Sequence, residues 1–263
     1  MGKKILFLVV VLAELLLLPA LGYAEEYNIG RPRIVVSADD LGVYQNNFIK
    51  SELSSLRNAV LSRARVDGWQ NVGEPAKGSL NEGFVDANSA VMAYLGTDNE
   101  EYEEQYKIAL ATWIARAVTW SNHDGGTTSV LLRPNGHWNY NNLDPARATI
   151  RTMADIFDVL YEELKNHPAP EGLPYLSYEG KPTLQDAVRE NLRIRGNDWY
   201  NFFTGIDPDI LDSHEVSAAS HFTHLAIAMY GETPEAEKWL NWCIHYYACL
   251  LYTSDAADEE DSV

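Results

Sequence analysis

Apolar residues recur three and four places apart along most of this chain, and that period restricts it to packed amphipathic helices. Phe84, Ala87, Val91 and Leu95 fall on one helix face, as do Tyr106, Leu110, Trp113, Ile114 and Ala117. Ile150, Met153, Ala154, Phe157, Tyr161 and Leu164 repeat the pattern after Asp144-Pro145, a cap with proline in the first turn. Leu184, Val188, Leu192 and Ile194 predict a helix that stops at Gly196; Phe222, Leu225, Ala226 and Met229 predict another, closed by Gly231. Ala236, Trp239, Leu240, Cys243 and Tyr247 mark the last. Nearer the start, Ser37 is placed as an N-cap with Asp40 at N3, and Leu53, Leu56 and Val60 extend an apolar stripe. Strand-like character is confined to Arg33–Val36. The fold class expected is all-α, in antiparallel helix pairs of the kind found in solenoids and α/α toroids.

The chain has 263 residues, enough for a large domain with its own core. Hydrophobic residues at 46% and charged residues at 22% exclude a collagen-like or wholly disordered chain. A formal charge of −18 repels phosphate backbones and argues against a nucleic-acid partner. Two cysteines make no disulfide scaffold, and Cys243 on an apolar stripe reads as a buried thiol.

Both ends read differently from the middle. Met1-Gly-Lys-Lys, the apolar run Ile5–Leu18 and the small residues Gly22 and Ala24 form a signal-peptide pattern over residues 1–24, with Glu14 as its oddity. The run is short for a bilayer span, and a carboxylate there is costly. A secreted or periplasmic protein is expected, with no membrane contact once the leader is removed. Residues 25–248 form the expected domain. From Cys249 to about Glu259 the chain resembles the conceptual translation of a transposase-type sequencing adapter, which makes 249–263 an artefactual tail and the domain a truncated one; the alternative is an acidic disordered tail.

Between the helices lie two long polar segments, Ser121–Asp144 and Asn166–Pro182. Loops of that length in a helical domain are functional or disordered, and the first carries aromatic residues that disordered segments lack. Asn122, His123, Arg133, His137, Trp138 and Tyr140 combine stacking surfaces with hydrogen-bonding groups, as saccharide contacts do; the competing reading is a structured turn. Asn122–Thr127 lacks the Lys-Ser/Thr of a phosphate loop. In Asn197–Asn201, Trp199 is a candidate sugar contact and Tyr200 a candidate catalytic group. Arg189, Arg193 and Arg195 read as a solvated helix face in preference to a basic patch, and His221 and His224 as core or surface histidines. His214-Glu215 misses the His-Glu-x-x-His zinc pattern because position 218 is alanine, so no metal is expected.

Four segments resemble one family in order and spacing. They are Arg31-Pro-Arg-Ile-Val-Val-Ser-Ala-Asp-Asp-Leu41, Val91-Met-Ala-Tyr-Leu-Gly-Thr-Asp-Asn-Glu-Glu-Tyr102, Asp212-Ser-His-Glu215 and the run His221–Trp239. Together they are similar to secreted heparinase II/III-like polysaccharide lyases over residues 31–248. The resemblance implies an incomplete α/α toroid, with the family's β-sandwich absent from this chain. It also implies β-elimination across a uronic-acid glycosidic bond, with an anionic polysaccharide as substrate and no cofactor. In such a reaction the C5 proton becomes acidic only when the neighbouring carboxylate is neutralised; a base removes it and an acid protonates the leaving oxygen. The family's Asn-His pair falls on Ser213-His214, so His214 carries over as catalytic while Ser213 departs from the usual amide and becomes a substrate-contact candidate. Glu215 follows as a catalytic candidate or a first-turn partner of the helix dipole. The family's tyrosine and second histidine would lie past residue 248, which leaves the fragment catalytically incomplete. Two rivals stand beside this reading. One is an α/α-toroid glycoside hydrolase drawing a carboxylate pair from Asp207, Asp209, Asp212 and Glu215; the other is a helical module that binds glycans or proteins without turnover.

Overall fold

The computed structural model describes residues 31–64, 82–120, 140–173, 175–205 and 213–260; for 82–86, 120, 140–148, 213–217 and 250–260 it describes the backbone alone. Eight α-helices follow one another: α1 Leu41–Phe48, α2 Ser54–Arg63, α3 Glu82–Gly96, α4 Glu100–Trp120, α5 Tyr140–Val159, α6 Leu184–Gly205, α7 Ser213–Met229 and α8 Glu235–Glu260. Two 3₁₀ turns, Ser51–Leu53 and Glu163–Asn166, complete the set among the described residues. There is no strand among them, only an isolated bridge between Pro168 and Thr183.

Helix starts are built by side chains that satisfy the free N–H groups of the first turn. Asn99 Oδ1 accepts from the amides of Glu101 and Tyr102 at 3.0 and 3.2 Å, and three glutamates in the first turn of α4 suit its dipole. Thr183 and Asp186 form a reciprocal cap on α6: the Thr183 amide donates to Asp186 at 2.9 Å and the Asp186 amide to Thr183 Oγ1 at 3.3 Å. Gly231, at φ +81°, takes the left-handed turn that lets α8 fold back on α7.

The apolar stripes meet in one core. Ala87, Val91 and Leu95 of α3, Leu110, Trp113, Ile114 and Ala117 of α4, and Ile150, Met153, Ala154 and Phe157 of α5 are all buried. Leu184, Val188 and Leu192 of α6, Phe222, Leu225, Ala226 and Met229 of α7, and Ala236, Trp239 and Cys243 of α8 join them.

α3 packs on α5 and α5 on α7, while α4 packs on α6 and α6 on α8; from α2 onward each helix also packs on the next in sequence. Directions follow from paired contacts. Asp155 meets His224, and one turn later on both helices Asp158 and the Ala228 carbonyl share the Arg31 guanidinium, so α5 and α7 run the same way. Arg193 pairs with Glu235 and Gly196 abuts Trp239, so α6 and α8 also run together. α6 opposes α7, because Phe203 lies against Phe222 while Arg189 reaches Glu232 just past the end of α7.

Five local expectations are corrected. Gly196 does not stop α6, which runs on to Gly205; a Cβ at 196 would stand 2.3 Å from the Trp239 ring, so the glycine serves a close helix–helix approach. Arg33–Val36 is not a strand, because the amides of Arg33 and Ile34 donate to the Asp158 carboxylate instead of to a neighbouring strand. Ser37 does not cap α1; Asp40 holds that position, and Ser37 Oγ closes the preceding turn with the Asp40 amide at 3.2 Å and its carboxylate at 2.8 Å. Leu53 and Leu56 are exposed, Leu56 at 65%, and of that stripe Val60 packs on the core. α5 begins at Tyr140, so Pro145 falls within the helix and shortens the first expected loop.

The segment before α1 is tied to the C-terminal ends of α5 and α7. Arg31 donates to Asp158 at 2.8 Å, Glu232 at 2.9 Å and the Ala228 carbonyl at 3.0 Å; Arg33 donates to the Ala228 and Tyr230 carbonyls at 2.8 and 3.0 Å. Guanidinium groups on the free carbonyls of a helix end are favoured by its dipole. Burial and the neighbouring Arg33 lower the Arg31 pKa, against the attraction of Asp158 and Glu232.

Candidate functional site

Because α5 and α7 are parallel and α6 opposes them, three sequence-predicted groups come to one end of the helices. Tyr140 is the first residue of α5, and Ser213, His214 and Glu215 are the first three of α7. Measured back from the Asp155–His224 contact at about 1.5 Å per residue, these starts lie roughly 22 and 16 Å along their helices. Tyr200 sits near the end of α6 that faces the same way. The two starts lie about one turn apart along their helices, and a helix N-terminus carries a partial positive charge that favours a carboxylate. The Arg31 and Arg33 clamp lies at the opposite end of the same helices.

Not every candidate meets there. Asn122, His123, Arg133, His137 and Trp138 lie outside the described residues, as do Asp207, Asp209 and Asp212. Trp199 is 3% exposed and packs against Phe203 at 5.5 Å between ring centroids; it is a core ring and presents no face to a sugar, which corrects its expected role. Tyr200 is half-buried beside it.

The three arginines of α6 part company. Arg189 pairs with Asp186 and Glu232, and Arg193 with Glu190 and Glu235, as a solvated face predicts. Arg195 is fully buried, its Nε donating to Asn191 at 2.5 Å, so it does not belong to that face. An open groove of about 620 Å³ runs past Arg189, Glu190, Arg193, Glu232, Glu235 and Lys238, at the end away from His214. Its arginines are committed to carboxylates, so it offers a ligand little free positive charge. Burial alone would raise the Glu232 pKa, yet hydrogen bonds from Tyr161 and Arg189 and the Arg31 charge hold it below the usual carboxylate value.

One constellation escaped the sequence reading. His224, expected to be an ordinary histidine, has its Nδ1 2.9 Å from Oδ1 of Asp155, a buried carboxylate of α5. Arg151, one turn earlier on α5, stands 3.6 Å from the other oxygen. The signal was available: Asp155 interrupts the stripe Met153, Ala154, Ile156, Phe157, where a charge needs a partner. Among the described residues, no group of three or more His, Cys, Asp and Glu side chains is placed to hold a metal ion.

Comparison of the chain with models of known families, with curated proteins and with solved structures finds no match.

Proposed function

We propose that this chain is the helical part of a secreted or periplasmic polysaccharide lyase that cleaves uronic-acid-containing polymers by β-elimination. The observation that carries the reading is the shared end of α5, α6 and α7. Tyr140 and His214 belong to the starts of α5 and α7 and Tyr200 to the last turns of α6, and a helix N-terminus would favour a substrate carboxylate there. The alternating packing supports an α/α toroid, since like-directed α5 and α7 in one layer and like-directed α6 and α8 in the other suit helix pairs curling about an axis. Neutralising the carboxylate at the helix ends acidifies C5–H; in this reading His214 takes that proton or shares one with the carboxylate. Glu215, the next residue in the first turn, is the second candidate for the proton transfer.

The test is ultraviolet absorbance of a new C4–C5 double bond, measured on a panel of uronic-acid polysaccharides with the protein secreted from its own gene. Rising absorbance that collapses at least a hundredfold in His214→Ala is the expected result. Saturated fragments would replace the lyase by a hydrolase, and retention of the polymer with no cleavage would leave a binding module.

A further inference from the structure

Two carboxylates of α5 are buried to a similar depth, one turn apart, and are treated differently. Asp158 is closed off: Arg31, Arg33 and the amides of Arg33 and Ile34 all donate to it. Asp155 has a looser shell made of one imidazole and one arginine. The His224 side chain is 27% exposed and that of Arg151 45%. In the tautomer that gives its N–H to Asp155, the imidazole keeps Nε2 as an acceptor. Among the described residues nothing bonds Nε2. Arg151 stands beside Asp155 through Nε at 3.6 Å, and its side chain is 45% exposed.

A partly exposed acceptor and a partly exposed cation flanking one carboxylate are complementary to an acidic sugar, which offers a hydroxyl donor next to a carboxylate. We propose that His224 and Arg151 form a subsite for one uronic-acid unit, with Arg151 donating to the carboxylate, His224 Nε2 accepting from a hydroxyl, and Asp155 fixing the imidazole. The inference rests on the polysaccharide reading above. The subsite lies ten residues along α7 from position 214, about 15 Å, so the ligand that reaches both is a chain and not a single sugar.

The experiment measures binding, not turnover. In a His214→Ala background, calorimetry follows a hexamannuronate, a heparin-derived hexasaccharide and the carboxyl-reduced, neutral form of the hexamannuronate. Arg151→Gln, used at a temperature where its thermal melt shows it folded, is expected to weaken the acidic ligand it serves about tenfold and to leave the neutral one alone. His224→Ala is expected to weaken both several-fold. In the parent protein, the His224 Nε2 nitrogen resonance should move when the acidic oligosaccharide is added. Unchanged affinity in Arg151→Gln, equal loss for acidic and neutral ligands, an unmoved resonance, or no binding of either acidic hexamer would each overturn the subsite. Binding that persists while no β-elimination is found on any polymer would sink the enzymatic reading and leave the subsite standing.

Discussion

Asp158 shows how much one buried side chain can organise. With no exposed surface, it collects donors from Arg31, Arg33 and Ile34, residues that no local pattern connects to it. Asp158→Asn keeps the shape but leaves two guanidinium groups facing a neutral amide. The expected cost is about 3–5 kcal/mol, read as a lower denaturation midpoint with an unchanged slope. Nothing in the sequence around Asp158 announces this role, because its partners lie 124 to 127 residues away. The same blindness explains Arg33–Val36: its β-branched residues read as a strand, while the contact that shapes it comes from another helix. The charge at Asp155 on an apolar stripe announces that it needs a partner, but not that the partner is His224, since a helix's period reports its own faces and not its neighbour's.

At the scale of elements, helix identity was legible and helix boundaries were less so. The 3.6-residue period survives in α3, α4, α5, α6, α7 and α8 because each buries one face against two neighbours. Gly196 misled because glycine most often ends a helix, whereas here it admits the Trp239 ring. Gly196→Ala would push a methyl group into that ring. A destabilisation of about 1–3 kcal/mol is expected in thermal melts, even though alanine is the better helix former. Gly205→Ala is the matched control, having no heavy atom near its missing Cβ; it should leave the melting temperature almost unmoved. That α5 and α7 begin at the same end could not be read from the sequence, because parallel packing is a tertiary fact.

For the whole molecule, acid is the informative perturbation. Glu232 is held below its ordinary value by Tyr161, Arg189 and Arg31 against the opposing effect of burial, and Asp186 by Thr183 and Arg189 likewise. Glu235 is lowered first by the N–H of its own residue and then by Arg193. A carboxylate with a lowered folded value contributes stability that is complete above its unfolded value, near 4.5, and is lost as pH falls through the folded one. Melting temperature should therefore hold from pH 7 to 5 and decline below about 4.5. Glu232→Gln should melt lower at pH 6 and show a shallower decline; an identical slope would remove Glu232 from the account. Asp186 and Glu235 are exposed enough for solvent to screen most of their share.

The clamp at Arg31 and Arg33 also sets an order of events. A ribosome makes these arginines early and Glu232 last among their partners, 201 residues after Arg31. At about 5–20 residues per second the N-terminal segment waits on the order of 10–40 s for its docking site to exist. Until then two guanidinium groups and a stretch of Ile and Val stay unsheltered on the nascent chain. Closure of this longest loop comes after the helix pairs have formed, so the first residues of the domain to be synthesised are among the last to reach their native place.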